Sequence, residues 1–196
     1  RLNAVIKLGT GAIEIKSGYG LTVDAELKML RVIKRLSKES QVKIKATLLG
    51  AHALPKEYKD NKSAFVDLVI NEMIPKVSKE RLAEYIDVFC EKGYFSLEDT
   101  ERILNAGVEH GLIPKIHVNQ FNAIGGIKAS VDLGALSVDH LEEMNEEDFD
   151  ALINSDCMPT ILPACSFFLG IPYGPAKEMM ERGLPVALAT DYNPGS

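Results

Sequence analysis

The sequence predicts an α/β fold, a parallel sheet covered by helices and curled toward a barrel. Three observations predict it. Seven short runs rich in Ile and Val alternate with amphipathic stretches along 196 residues, and crossover helices between strands force those strands to run parallel. The runs mostly lack polar–apolar alternation, as strands covered on both faces do. Four of them end in a residue able to bind a metal or move a proton: His52 in LLGAHALP, His117 in IPKIHVNQF, His140 in ALSVDHLEE and Asp191 in PVALATDYN. Parallel barrels build their sites from C-terminal strand ends. Polar ends converging on one rim favour a closed barrel over a flat doubly wound sheet made of the same elements.

The strand-like runs are 11–16, 42–49, 86–90, 114–118, 136–140, 158–162 and 186–190. Residues 1–9, RLNAVIKLG, read as the last turns of a helix stopped by Gly9. Residues 23–37 carry Leu27, Leu30, Ile33 and Leu36 at helical spacing. Ser96 with Asp99 three residues on marks a helix start for 97–110. Further helices are expected at 122–133, 145–154 and 175–182, and the longer excursion is expected to hold two, 62–74 and 78–84, split near Pro75. No G-x-G-x-x-G opens a helix after a strand and no P-loop lysine motif occurs, so a nucleotide fold has little support. The Gly125-Gly126 pair is a weak signal alone.

Residues 1–196 are expected to form a single domain that is part of a longer enzyme. There is no initiator Met, the chain stops at NPGS just after a strand, and its length falls short of the ~250 residues of a complete eight-unit barrel. Net charge −6 offers no basic footprint, which argues against nucleic acid and anionic membrane as partners. No apolar run reaches the ~18 residues of a membrane span. Cys90, Cys157 and Cys165, odd in number and set in apolar segments, read as reduced core thiols of a cytoplasmic protein.

A lone histidine at a strand end is most simply a buried, hydrogen-bonded side chain. Three of the four histidines share that setting, however, and Asp191 follows the apolar run VALAT, where a carboxylate is expensive to bury without a partner. A divalent cation accounts for Asp and His converging there. Lys34, Arg35 and Lys38 read as the solvated face of a helix, 142–150 as an exposed acidic helix start, and Met179-Met180 as core packing.

The phrases EIKSGYGL, LLGAHALP, DVFCEKGYF, KIHVNQFNAIGG, VDHLEE, LPACSFFLG and ATDYNPGS resemble, in order and from end to end, the imidazolonepropionase family of the amidohydrolase superfamily. The resemblance implies a (β/α)8 TIM barrel, here incomplete, lacking its first strand and a terminal β-rich domain. It implies one zinc or iron ion per complete chain, a cytoplasmic homodimer, and hydrolysis of the ring amide of 4-imidazolone-5-propanoate to N-formimidoyl-L-glutamate in histidine degradation. Of the family's metal ligands, His117 and Asp191 match the later-strand His and the last-strand Asp. The His-x-His pair is absent, since no two histidines here lie two apart. His140 matches a histidine placed beside the attacking water or the developing oxyanion, and Asp191 is then the general base. Tyr19, His52 and Asn193 match or neighbour substrate-contacting positions; Asn193 alternatively shapes the Asn-Pro-Gly turn. Gln120 stands where many relatives carry a glutamate; its amide can orient substrate or water but cannot be a base. Glu91 is a further rim carboxylate whose role stays open. Two other readings remain: another metal-dependent cyclic-amide hydrolase or aminohydrolase, and a non-catalytic scaffold.

Overall fold

The computed structural model describes residues 1–193; residues 194–196, the end of the ATDYNPGS phrase and of the Asn-Pro-Gly turn, lie outside the described residues. Seven strands pair in sequence order, all parallel: β1 (Ala12–Lys16), β2 (Lys43–Ala51), β3 (Tyr85–Cys90), β4 (Ile113–Val118), β5 (Ser137–His140), β6 (Met158–Ile161) and β7 (Ala187–Leu188). Each expected run overlaps one of them, with β2 running two residues further than expected, to Ala51.

The sheet is curled, and one side chain proves it. Lys16 Nζ on β1 lies 2.7 Å from Asp87 Oδ2 on β3 and 3.0 Å from Asp139 Oδ2 on β5. In a flat sheet β1 and β5 would stand four strand spacings apart, about 19 Å, far beyond one lysine's reach. The flat doubly wound alternative is therefore excluded, and the barrel architecture stands.

The helices are α1 (Leu2–Lys7), α2 (Val23–Glu39), α3 (Lys62–Leu68), α4 (Ile74–Glu80), α5 (Leu97–Glu109), α6 (Gly126–Asp132), α7 (Glu146–Ile153), α8 (Pro163–Leu169) and α9 (Ala176–Glu181), of which α2, α5 and α6 pack closely on the strands. Helix α2 starts where Thr22 caps Ala25 N–H and buries Leu27, Leu30 and Ile33, packing along β2. Full burial of each such side chain contributes about 1.5–3 kcal/mol. Ser96 and Asp99 close the expected capping box of α5, and Asn145 with Asp148 builds a second at α7.

Three expectations need correction. The excursion after β2 is not two helices split at Pro75. Helix α3 runs on through a π-helical turn, Val69–Met73, into α4, which ends at the left-handed Arg81. The wide turn precedes Pro75, whose missing N–H falls in the first turn of α4, where the loss is harmless. Helix α6 begins at Gly126 and not at residue 122, after a left-handed Gly125. A Cβ on Gly126 would sit 2.5 Å from Val118 Cγ2, so only glycine lets the helix lie this close to β4. Helix α8 was not anticipated, because seven mostly apolar residues carry no amphipathic period. Met179 is buried as expected, but Met180 is 62% exposed. Among the described residues no helix is long and apolar enough to cross a membrane.

Candidate active site

Strand alternation sends one row of side chains into the curl: Glu14 and Lys16 from β1, Thr47 from β2, Asp87 and Phe89 from β3, Lys115 and His117 from β4, Asp139 from β5. The row is charged and held together by ion pairs. Besides Asp87 and Asp139, Lys16 meets Glu14 at 3.2 Å, and Lys115 meets Glu14 at 2.6 Å. Burial alone would drive Lys16 toward neutrality, but Asp139, Asp87 and Glu14 outweigh it and hold its pKa well above the ordinary 10.5. Asp87 and Asp139 titrate in turn below the usual carboxylate range: burial opposes this, and the lysines and His117 overcome it.

His117 is the best-supported side chain of the rim. It is 7% exposed. Its backbone N–H donates to Asp87 Oδ1 at 3.0 Å, and its Nδ1 lies 2.8 Å from Asp87 Oδ2. The bond fixes the ring and commits Nδ1, leaving Nε2 as the free nitrogen, the arrangement in which a carboxylate orients a metal-binding histidine from behind. By donor type and spacing Asp87, His117 and Asp139 form a group able to hold a cation, their ligand atoms within 4.8 Å of one another. Lys16 already supplies that positive charge, its ammonium bonded to both carboxylates. The remaining opportunity for a metal is on the other side of the ring, at Nε2.

His140 reaches the same place by a different route. With Asp139 inward, alternation would turn His140 toward the helices. Instead φ is +92° at His140 and +67° at Leu141, and the ring stands with its centre 5.2 Å from that of His117. Two successive non-glycine residues in this region cost on the order of 1–3 kcal/mol each and concentrate at working sites. Behind the ring lies Glu142, expected to be solvated and in fact 7% exposed; this corrects the reading of 142–150 as an exposed start. Asp148 in the same stretch is buried as well, bound to Asn119 Nδ2 at 2.9 Å.

His52 completes a histidine cluster at the β2, β4 and β5 ends. Its ring centre is 6.2 Å from His117 and 5.1 Å from Tyr19, edge-on to the latter. Burial, with His117 adding to it, holds its pKa below 6.5, so it is neutral at pH 7. Tyr19 is half exposed on a loop that Glu26 grips: the Gly18, Gly20 and Leu21 N–H groups all donate to its carboxylate, at 2.7, 2.6 and 2.9 Å. A Cβ on Gly20 would fall 2.7 Å from Glu26 N, so this grip requires glycine.

On the far side Gln120, Cys165 and Asp191 meet. Gln120 is buried, its Nε2 3.5 Å from Cys165 Sγ. Burial, then the hydrogen bond and charge of Asp191, push the Cys165 thiol up to about 12, so it stays a neutral donor to that carboxylate. Cys165 is free, as are Cys90 and Cys157, yet it faces the site and not only the core. Asp191 has φ +48°, and Asn193 Nδ2 donates to its carbonyl at 2.9 Å. Asp191 also raises the pKa of Tyr19, second only to burial. Glu91 anchors a loop: it accepts from Phe121 N, Asn122 N, Asn122 Nδ2 and Lys92 N, at 2.9, 3.2, 2.9 and 2.8 Å.

A parallel sheet curled far enough for β1 to reach β5 has the architecture of a parallel α/β barrel, and solved structures share the fold. Superposition on guanine deaminase from C. acetobutylicum gives a TM-score of 0.70, with 15% identity, covering 96% of this chain and 48% of that one. Adenine deaminase from Arthrobacter aurescens gives 0.71, with 16% identity, covering 97% and 59%. No family model matches. In sequence the chain is 65% identical over 196 residues to the imidazolonepropionase of Christiangramia forsetii, 62% over 196 to that of Flavobacterium johnsoniae, and 48% over 197 to that of Shewanella halifaxensis. Each alignment takes in 100% of this chain and 48% of the relative. The chain is thus similar to imidazolonepropionases along its whole length, and it spans about half the length of the curated relatives it matches.

Proposed function

We propose that this chain carries part of the active site of an imidazolonepropionase, which opens the ring of 4-imidazolone-5-propanoate with water to give N-formimidoyl-L-glutamate. The observation that carries the reading is identity of 44–65% over the full chain with proteins of that name. The rim chemistry agrees with it. His117, locked by Asp87 so that Nε2 is open, and Asp191 are the residues that would hold a zinc or iron ion. Such an ion lowers the pKa of a bound water from 15.7 toward ~7.

The chain's own residues supply the rest. Asp191 takes the proton of the attacking water and returns it to the departing ring nitrogen. His140 donates to the carbonyl oxygen as it gains negative charge; losing one such donor typically costs ~2.7–4 kcal/mol of barrier. Tyr19 and His52 line the entry and contact the ring, Gln120 orients substrate or water through its amide, and Asn193 fixes the Asp191 carbonyl beside them. A cytoplasmic homodimer acting on this small molecule, and on neither nucleic acid nor membrane, completes the proposal.

The test is decay of imidazolone absorbance in the complete protein that contains this segment. Asp191→Asn should abolish turnover with the fold retained; substantial residual activity would remove Asp191 from the role of base. Hydrolysis of other cyclic amides or heterocyclic amines in place of imidazolone would shift the reading to another amidohydrolase.

A further inference from the structure

Glu142 is the buried carboxylate at the rim for which the reaction proposed above has no use. Its side chain is 1% exposed. One oxygen, Oε1, accepts from Ser166 Oγ at 2.7 Å. The other, Oε2, has no hydrogen-bond partner among the described residues, and neither has His140 Nδ1. These two orphaned atoms stand 3.5 Å apart, facing each other. A bridging water would need two bonds of about 2.8 Å in series, and the gap is too short for it. Other claimants are occupied: His117 Nδ1 is bonded to Asp87. A buried polar atom without a partner is costly, and one small closure of this gap satisfies both.

Two features converge to make the contact. The left-handed backbone at His140 and Leu141 turns the ring inward and brings Glu142 round behind it. Ser166, on α8 and itself 1% exposed, pins Oε1 and so aims Oε2 at the ring. Such a placement of a carboxylate decides which ring nitrogen keeps its proton and which faces out.

We infer that Glu142 is the positioning residue of His140: it holds a proton on Nδ1 and turns Nε2 toward the reacting ring, where His140 donates once Nε2 carries a second proton, with Ser166 holding Glu142. The assignment of Nε2 to the reacting ring rests on the proposed function; the pairing itself does not.

The test is nitrogen NMR on the 196-residue chain labelled at histidine. The chain has four histidines, so single substitutions assign every ring. In the parent chain His140 should carry its proton on Nδ1. Glu142→Met, an apolar isostere, should shift His140 to a predominantly Nε2-protonated ring while His117 and His52 keep their signals. Folding should survive, because Ser166 Oγ already lies 3.4 Å from Leu162 O and falls back on it. An unchanged His140 in a folded Glu142→Met chain overturns the inference. Should that variant lose the His117 and His52 signals, Ser166→Ala decides: a smaller shift of His140 in the same direction supports the pairing, and no shift overturns it. A chain that shows the ring change, with a complete protein that opens no imidazolone ring, keeps the Glu142–His140 pair and removes the proposed reaction.

Discussion

Two histidines meet across the rim with ring centres 5.2 Å apart, each with a carboxylate behind it, and the two pairs are built on opposite principles. His117 sits on a regular strand, and Asp87 comes from the neighbouring strand by plain alternation. Asp87 spends both oxygens on His117 and shares one with Lys16. His140 stands where the strand breaks, and its carboxylate comes from two residues further along the same segment. Apart from the ring it faces, Glu142 has a hydroxyl for company and, among the described residues, no lysine or arginine. The first pair belongs to a neutralised charge network that also binds strands together; the second serves only the ring it faces. An inward histidine can thus be held either by the sheet or by a strained local turn, and only the first arrangement is tied to the stability of the barrel.

That contrast can be broken by substitution. Asp87→Ala should do the most damage: it strands Lys16 beside fewer anions and strips the Nδ1 and backbone partners from His117. Removing one member of a buried pair costs about 3–5 kcal/mol, read as a fall in the urea midpoint at unchanged slope. Loss under 1 kcal/mol would mean that the network is slack.

Asp139 sharpens the comparison through pH. Burial raises its carboxyl, but Lys16 and Lys115 bring it below the ordinary 3.8. A carboxyl depressed in the folded state stabilises above its unfolded pKa, and that contribution is lost as pH falls through the folded value. The parent chain should therefore lose stability below about pH 4, and Asp139→Asn should show a shallower acid limb. Equal acid limbs would assign the loss to other groups.

The smallest effect is expected at Glu142. Because no lysine or arginine among the described residues pairs with it, Glu142→Met should move the unfolding free energy by no more than about 1 kcal/mol in either direction. A loss as large as that of Asp87→Ala would make the two pairs alike.

Much of the barrel was legible in the sequence because covered strands and capped helices are local patterns: Ser96 and Asp99 announce α5 without reference to anything distant. The strand-end histidines were legible for the same reason. The partners behind them were not. Asp87 is an acid inside the apolar run YIDVFC, and that interruption is the one local hint of its role. Glu26, five residues beyond the loop it grips, looks like any exposed helix acid. Glu142 sits in an acidic stretch whose composition predicts solvent, and only the left-handed pair before it folds that stretch inward. Pro75 misled because a π-helical turn absorbs it, a solution set by packing against the sheet.

Lys16 carries a consequence for how the chain is made. Two of its three carboxylates lie 71 and 123 residues downstream, so a growing chain has only Glu14 beside this cation until β3 emerges, and the full complement only with β5. The entropic cost of closing so long a loop rises only logarithmically with length, but the delay grows in proportion to it. The charge of the curl's interior is therefore balanced around this ammonium only when the chain through Asp139 is in place.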